Sequence, residues 1–183
     1  GLYYFFSQAA NIVAPPVAIS LRDSFPSARA DNAASLTIAK PTGAVAGDTV
    51  YVVLGRDTGA LSTLLAAAGF TEATYLAVGQ ANGVAAIRVW HRTLTVDDAG
   101  VTGWAFGSDG LDSSTVLGAF AVTGAPVSIV SSAKTVNLGT STSIVAPSVN
   151  GVAGGILVTA HFFVPSPNPS TARSFTPPSG MTE

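Results

Sequence analysis

The stretch "AIRVWHRTLTV", residues 86–96, decides the fold class of this 183-residue chain. Its residues alternate in character, and a β-strand places successive side chains on opposite faces. One face then carries Ile87, Val89, His91 and Thr93, and the other carries Arg88, Trp90, Arg92 and Leu94. The alternation therefore predicts a long strand with one face at least partly exposed to water.

Similar short β-branched and apolar runs recur on both sides of this strand, with turn residues between them. They predict strands at 35–39, 49–55, 72–78, 84–95, 102–106, 116–123, 143–146 and 155–164. This spacing is typical of an all-β, two-sheet antiparallel β-sandwich, which we expect to be jelly-roll-like. Helix is expected only in "LSTLLAAAGF", residues 61–70, where Ser62 is a candidate cap and Gly69 stands at the C-terminal glycine position.

An internal repeat suggests two similar halves. "PTGAVAGDTVYVVLG" at 41–55 resembles "PSVNGVAGGILVTAH" at 147–161, and "AAGFTEA" from Ala67 resembles "PSGMTE" from Pro178. Two matches in the same order predict equivalent places for the strands at 49–54 and 155–160. Chance similarity among small residues is the alternative. Because the first copy continues into further strands, we expect the domain to continue past Glu183.

The composition favours a surface that other proteins can cover. Charged residues make up 10% of the chain, against about 25% in an ordinary domain. The net charge is -2, with no cluster of Lys or Arg, so neither nucleic acid nor a membrane is an expected partner. The absence of cysteine excludes disulfides and thiolate metal sites.

The first 34 residues differ from the rest because they are rich in proline and have no clear period. They predict an extended N-terminal arm (1–34) ahead of the sandwich domain (35–183). Tyr3, Tyr4, Phe5 and Phe6 would be an aggregation hazard in water. We expect these four residues to form an assembly interface with another chain, and the arm to make few contacts with its own sandwich.

The residues that could carry chemistry favour structural roles. His91 and His161 have no Cys, Asp or Glu within two positions, which favours structural histidines over catalytic or metal-binding ones. The aspartates at positions 97, 98, 109 and 112 lack the spacing of a calcium loop, and turn formation is the preferred interpretation. We predict no catalytic residue, cofactor site or metal site.

One possible ligand platform consists of Arg88, Trp90 and Arg92. An exposed indole between two arginines could stack on a sugar ring while the guanidinium groups bond to its hydroxyls. Burial of Trp90 in the core is the preferred alternative, since tryptophan is more often covered by its neighbours.

Several short motifs occur in a defined order along the chain. A proline-glycine turn at 41–43 is followed by Gly-Asp and an apolar strand at 47–50, by Gly-Phe-Thr at 69–71 and by Val-Trp-His-Arg at 89–92. "VTGWAFG" (101–107), "VLGAFAVTGA" (116–125), "APSV" (146–149) and "TPPSGMTE" (176–183) follow. In these motifs the sequence resembles a β-sandwich family of bacteriophage and prophage virion structural proteins.

The resemblance implies a non-enzymatic module of a minor tail protein, tail fibre or appendage, located in the virion. Its expected partners are other virion structural proteins, and it is expected to form a homo-oligomer. Two alternatives remain open. One is a carbohydrate-binding or adhesin module for a bacterial surface glycan, and the other is a capsid decoration protein, which also docks through an extended arm.

Overall fold

The computed structural model describes residues 19–22, 24–31, 33–58, 66–80, 83–107 and 114–123. These residues form eight strands and one short 3-10 helix. The strands are β1 (Ser20–Leu21), β2 (Ser27–Asp31), β3 (Ser35–Ala39), β4 (Thr49–Thr58), β5 (Thr71–Gln80), β6 (Gly83–Thr93), β7 (Gly103–Gly107) and β8 (Ser114–Thr123), and the 3-10 helix is Val96–Asp98.

The strands form two antiparallel sheets, which confirms the predicted all-β class. In the six-stranded sheet, β4 is central between β6 and β8, β5 lies outside β6, and both β1 and β2 pair with β8. The second sheet consists of β3 and β7. Six predicted strands coincide with β3 to β8 apart from small shifts at their ends. The predictions at 143–146 and 155–164, and with them the second copy of the repeat, lie outside the described residues.

The two sheets share one hydrophobic core. The inward positions of β4 are Val50, Val52 and Leu54, because side chains two apart share a face. Across the core, the ring centroids of Trp90 and Phe106 are 5.1 Å apart. The buried members from the strands are Ile38, Val50, Val52, Leu54, Trp90, Trp104, Phe106, Leu117, Ala119 and Ala121.

The predicted alternation in β6 is confirmed for its described side chains. Trp90 lies on the core face, and Leu94, just after the strand, is also buried. His91 lies on the opposite face, where its ring is 5.8 Å from that of Tyr51. Tyr51 also stacks on Phe120 at 5.3 Å. His91 is thus part of an aromatic row across three neighbouring strands, while His161 lies outside the described residues.

The predicted helix is wrong where the structure describes that segment. Residues 61–65 lie outside the described part, and 66–70 form a loop with a tight turn. The backbone N–H of Phe70 donates to the carbonyl of Ala67 at 3.1 Å, and Gly69 has φ of 80°. A positive φ at this position closes a turn and ends any helical run, and it is a conformation that glycine adopts at little cost.

The expectation that the arm makes few contacts with its own domain is wrong for β1 and β2. Both β1 and β2 pair with β8, with Ser20 opposite Thr123 and Ser27 opposite Gly118. This pairing gives hydrogen-bond partners to backbone groups at the edge of β8. The proline-rich sequence of the segment has no pattern that predicts the pairing. Residues 1–18, which include the predicted aromatic interface, lie outside the described residues. No helix in the described ranges is long and apolar enough to cross a membrane.

Candidate functional site

Three loops meet at one end of the two sheets, and we call this region the loop end. They are residues 40–48 before β4, 66–70 before β5 and 94–102 after β6. Gly47 N–H donates to the Leu94 carbonyl at 2.9 Å, and Leu94 N–H donates to the Asp48 carbonyl at 2.8 Å. Lys40 N–H donates to the Thr102 carbonyl at 2.8 Å. Backbone hydrogen bonds therefore join the first and third loops.

Residues 41–48 consist of two consecutive tight turns. Ala44 N–H donates to the Pro41 carbonyl, and Asp48 N–H donates to the Val45 carbonyl, each at 3.1 Å. The third residue of each turn is a glycine with positive φ, 80° at position 43 and 91° at position 47. This is the geometry of type II turns, which explains why the sequence has glycine at both places.

Asp48 closes the second of these turns with its side chain, and we call residues 45–48 the Asp48 turn. Its Oδ2 accepts from the backbone N–H of Val45 at 3.0 Å. Oδ2 and Oδ1 also accept from Nε and Nη2 of Arg22, at 2.9 and 3.1 Å. The carboxylate is therefore held by a two-pronged guanidinium contact as well as by the backbone.

The Asp48 carboxyl is nearly inaccessible to solvent, yet it is held ionised. Burial raises its pKa, but hydrogen bonds from Arg22, the Val45 backbone and Thr123, together with the charge of Arg22, outweigh that effect. The pKa of Asp48 is therefore below its ordinary value. Its role is to fix the turn, because every contact described for the carboxylate is a structural one.

Asp98 plays a similar part in the third loop, and we call residues 95–98 the Asp98 turn. Its Oδ2 accepts from the Thr95 backbone N–H at 2.8 Å and from the Thr95 hydroxyl at 3.2 Å. Its Oδ1 accepts from Arg92 Nη2 at 2.6 Å. The hydrogen bond from the Thr95 N–H has the largest influence on the pKa of Asp98, and it lowers this pKa. Burial raises the pKa, and the charge of Arg92 lowers it further.

Two cations connect the loops to one another. Arg92 Nη1 donates to the Ala68 carbonyl at 2.9 Å, so one guanidinium holds both the second and the third loop. Lys40 Nζ donates to the Asp98 carbonyl at 2.8 Å. The charged side chains Arg22, Lys40, Asp48, Arg92 and Asp98 thus form contacts that fix the backbone of the loop end.

Apolar side chains are exposed on this fixed backbone. Val45 in the first loop is 55% exposed, and Val96 in the third loop is 78% exposed. An apolar side chain on a rigid support can pack against another protein with little ordering cost. Strand-joining loops at the ends of β-sandwiches are common binding surfaces. The arrangement is therefore chemically suited to protein contact.

The structure does not present Arg88, Trp90 and Arg92 as a platform. Trp90 is 2% exposed and packs against Phe106, so it offers no free ring to a sugar. Nη1 of Arg88 lies 3.4 Å from Oε2 of Glu72, and Nη2 of Arg92 donates to Oδ1 of Asp98. Burial of Trp90, the alternative interpretation from the sequence, is the one that the structure supports.

The acidic residues considered as calcium ligands do not come together in the described structure. Asp97 is exposed, Asp98 is buried in its turn, and positions 109 and 112 lie outside the described residues. Within the described ranges, no group of three or more His, Asp or Glu side chains is placed to hold a metal ion.

No sequence pattern predicted Arg22, Lys40 or Asp48 as site residues. A signal for Asp48 exists in Gly47-Asp48 directly before an apolar strand, but nothing local predicts its pairing with Arg22, 26 positions away.

No protein-family model matches the chain, and the searches of curated proteins and of solved structures found no match either.

Proposed function

We propose that this chain is a non-enzymatic structural module of a bacteriophage virion, in a minor tail protein, tail fibre or appendage. Its two sheets belong to a jelly-roll-like β-sandwich. The module binds other virion subunits through the loop end and through the aromatic residues 3–6.

One observation carries the proposal: the loop end combines exposed valines with buried, internally paired charges. Asp48 and Asp98 are 2% and 3% exposed, so their charge stabilises the loops and is not presented to a ligand. Val45 and Val96 are presented instead. Protein interfaces are depleted of charge at their centres and favour apolar contact, which this combination fits.

The choice of a virion rests on the sequence resemblance and on the low charge content. A chain with 10% charged residues presents much neutral surface, and such surface suits a subunit surrounded by neighbours. Repetition by symmetry would let a modest contact hold each subunit in place.

The direct test is to look for the chain in particles. Phage particles are induced from a strain that carries the gene, purified on a density gradient and measured by quantitative mass spectrometry. We expect the chain at a constant ratio to the major capsid protein in every particle fraction, and a cytosolic protein of the same lysate serves as the control. A chain that is abundant in the cell but missing from the particles would contradict the proposal.

A deletion tests the contribution of residues 1–16. Because β1 begins at Ser20, we expect the shortened chain to keep its circular dichroism spectrum and melting temperature while its incorporation into particles falls. A shortened chain that unfolds would show that these residues belong to the core. That result would remove the arm from the proposed interface.

A further inference from the structure

Strand β1 belongs to the row of the six-stranded sheet that lies next to the loop end. Leu21 lies opposite Val122 in β8, and Val122 lies opposite Thr49 in β4. Thr49 in turn lies opposite Thr93 in β6, the strand that leads into the third loop. Three strand spacings of about 4.8 Å separate the ends of this row, so the Cα atoms of Leu21 and Thr93 are about 14 Å apart. β1 is therefore close to the loops that form the loop end.

A single carboxylate oxygen fixes β1 against the first loop. Oδ2 of Asp48 accepts from Nε of Arg22 at 2.9 Å and from the backbone N–H of Val45 at 3.0 Å. The backbone N–H of Arg22 also donates to the carbonyl of Ala121 at 3.0 Å, which holds β1 on β8. Leu21 precedes Arg22, so the backbones of Leu21 and Val45 are held in fixed positions relative to each other. A partner that binds both pays little ordering cost.

Leu21 and Val116 are equally exposed but have different surroundings. Leu21 is 38% exposed and Val116 is 37% exposed. Both lie on the outer face of the six-stranded sheet, because the core-facing positions of β8 are odd-numbered and Leu21 pairs with Val122. The residue opposite Val116 is Arg29, which forms an exposed ion pair with Asp31. Charges are depleted at the centres of protein interfaces, so apolar contact is favoured at Leu21 and disfavoured at Val116.

An exposed charge beside Val96 indicates the chemistry of the partner. Asp97 follows Val96 directly and is exposed. A two-fold contact between copies of this chain, centred on Val96, would bring two Asp97 carboxylates together, and like-charge repulsion opposes that arrangement. A different protein that carries a lysine or arginine next to an apolar patch would attract Asp97 instead.

We infer that the binding surface of the loop end continues over β1, so that one partner protein contacts Leu21 together with Val45 and Val96. The partner presents an apolar patch to these three side chains and a lysine or arginine to Asp97. An interface of standard size covers about 800 Å² on each side, or about 28 Å across, which is enough to include the row from β1 to the third loop. The inference rests on the proposed function, because it takes the loop end as a binding surface.

Leu21→Asp and Val116→Asp form a matched pair that tests how far the surface extends. Val116 lies six positions along β8 from Val122, which is about 20 Å from the row next to the loop end. We expect Leu21→Asp to lower incorporation into purified particles by at least about tenfold, because an unpaired carboxylate would be buried against the partner. Val116→Asp should incorporate like the unchanged chain. Equal incorporation of the two variants would contradict the inference.

The charge of Asp97 tests the chemistry of the partner. Asp97→Asn removes the attraction to a basic group, whereas Asp97→Lys replaces it with repulsion. Incorporation should therefore fall in Asp97→Asn and fall further in Asp97→Lys. Normal incorporation of Asp97→Lys would exclude a lysine or arginine opposite this position.

Photo-crosslinking in intact particles tests the contact without adding a charge, so it decides the question even if Leu21→Asp lowers the melting temperature. A benzophenone amino acid replaces Leu21, Val45, Val96 or Val116 in four separate variants, and mass spectrometry identifies the crosslinked protein. We expect the first three positions to crosslink to the same virion protein. Position 116 should not crosslink to that protein.

The other crosslinking outcomes separate this inference from the proposed function. If Val45 and Val96 share a partner while Leu21 crosslinks to a different protein or to none, the inference is wrong and the loop end is still a binding surface. Crosslinks from Leu21 and Val96 to a second copy of the chain would also overturn the inference. The absence of any crosslink from Val45, Val96 and Leu21 to a virion protein would contradict both the inference and the proposed function.

Discussion

The Asp48 turn and the Asp98 turn use the same chemistry but obtain their arginine from very different distances along the chain. In both, the carboxylate accepts a backbone N–H from three residues earlier and also binds a guanidinium. Asp98 takes Arg92, six positions away, whereas Asp48 takes Arg22, 26 positions away. The first contact stabilises local structure, and the second ties β1 to the loop before β4.

The difference also appears in what holds each carboxyl ionised. For Asp98 the largest influence on the pKa is the local backbone N–H of Thr95. For Asp48 the largest influence is burial, which opposes ionisation, and the contact with Arg22 is the first of the influences that overcome it. The Asp98 turn should therefore be largely self-sufficient, while the Asp48 turn depends on a distant residue.

Removing each carboxylate should produce the largest effects. We expect Asp48→Ala to lower the free energy of unfolding by about 2 to 3 kcal/mol, since it removes a carboxylate that accepts partly buried hydrogen bonds from Arg22 and Val45. Asp98→Ala should cost about 1 to 2 kcal/mol, the range for losing a cap. Urea unfolding measures both, with Asp97→Ala as the exposed control. If Asp98→Ala costs more than Asp48→Ala, the proposed dependence on a long-range contact is wrong.

The loops should also differ in their tolerance of alanine in place of glycine. Gly47 has φ of 91°, so Gly47→Ala should cost about 1 to 2 kcal/mol of unfolding free energy. Gly100 lies just after the Asp98 turn without a positive φ, and an added Cβ would meet no atom within 4 Å. Gly100→Ala should therefore be neutral or slightly stabilising, which thermal melts of the two variants can compare. Equal losses would contradict the assigned turn geometry.

Acid should weaken both turns. Because folding lowers the pKa of both carboxyls, each carboxyl stabilises the fold at pH values above 3.8, the ordinary pKa of an aspartate. That stability is lost as the pH falls through the lowered pKa. Arg22→Ala should raise the pKa of Asp48 by more than Arg92→Ala raises that of Asp98, because Asp98 keeps its Thr95 N–H. Carboxyl-carbon NMR titration measures both shifts, and a larger shift at Asp98 would reverse the comparison.

What could be predicted from the sequence follows the same division between local and distant contacts. The period of two around Trp90 and the spacing of the apolar runs predicted β3 to β8, because strand alternation is a local property, but they did not predict β1 and β2. The predicted helix was wrong in its described part, since residues 66–68 already belong to the loop and tight turn before β5. The pairing of β1 and β2 with β8 and the contact between Arg22 and Asp48 join distant positions, and no local pattern encodes them.

The exposed valines provide the most direct test of the central claim, that the loop end is a protein-binding surface. Val45→Asp combined with Val96→Asp should change the free energy of unfolding by less than about 0.5 kcal/mol, because both side chains are exposed. The same variant should lose most of its incorporation into purified particles. Thr42→Asp, an exposed change in the same loop, is the matched control and should incorporate normally. Incorporation of the valine variant at the level of the control would contradict the claim.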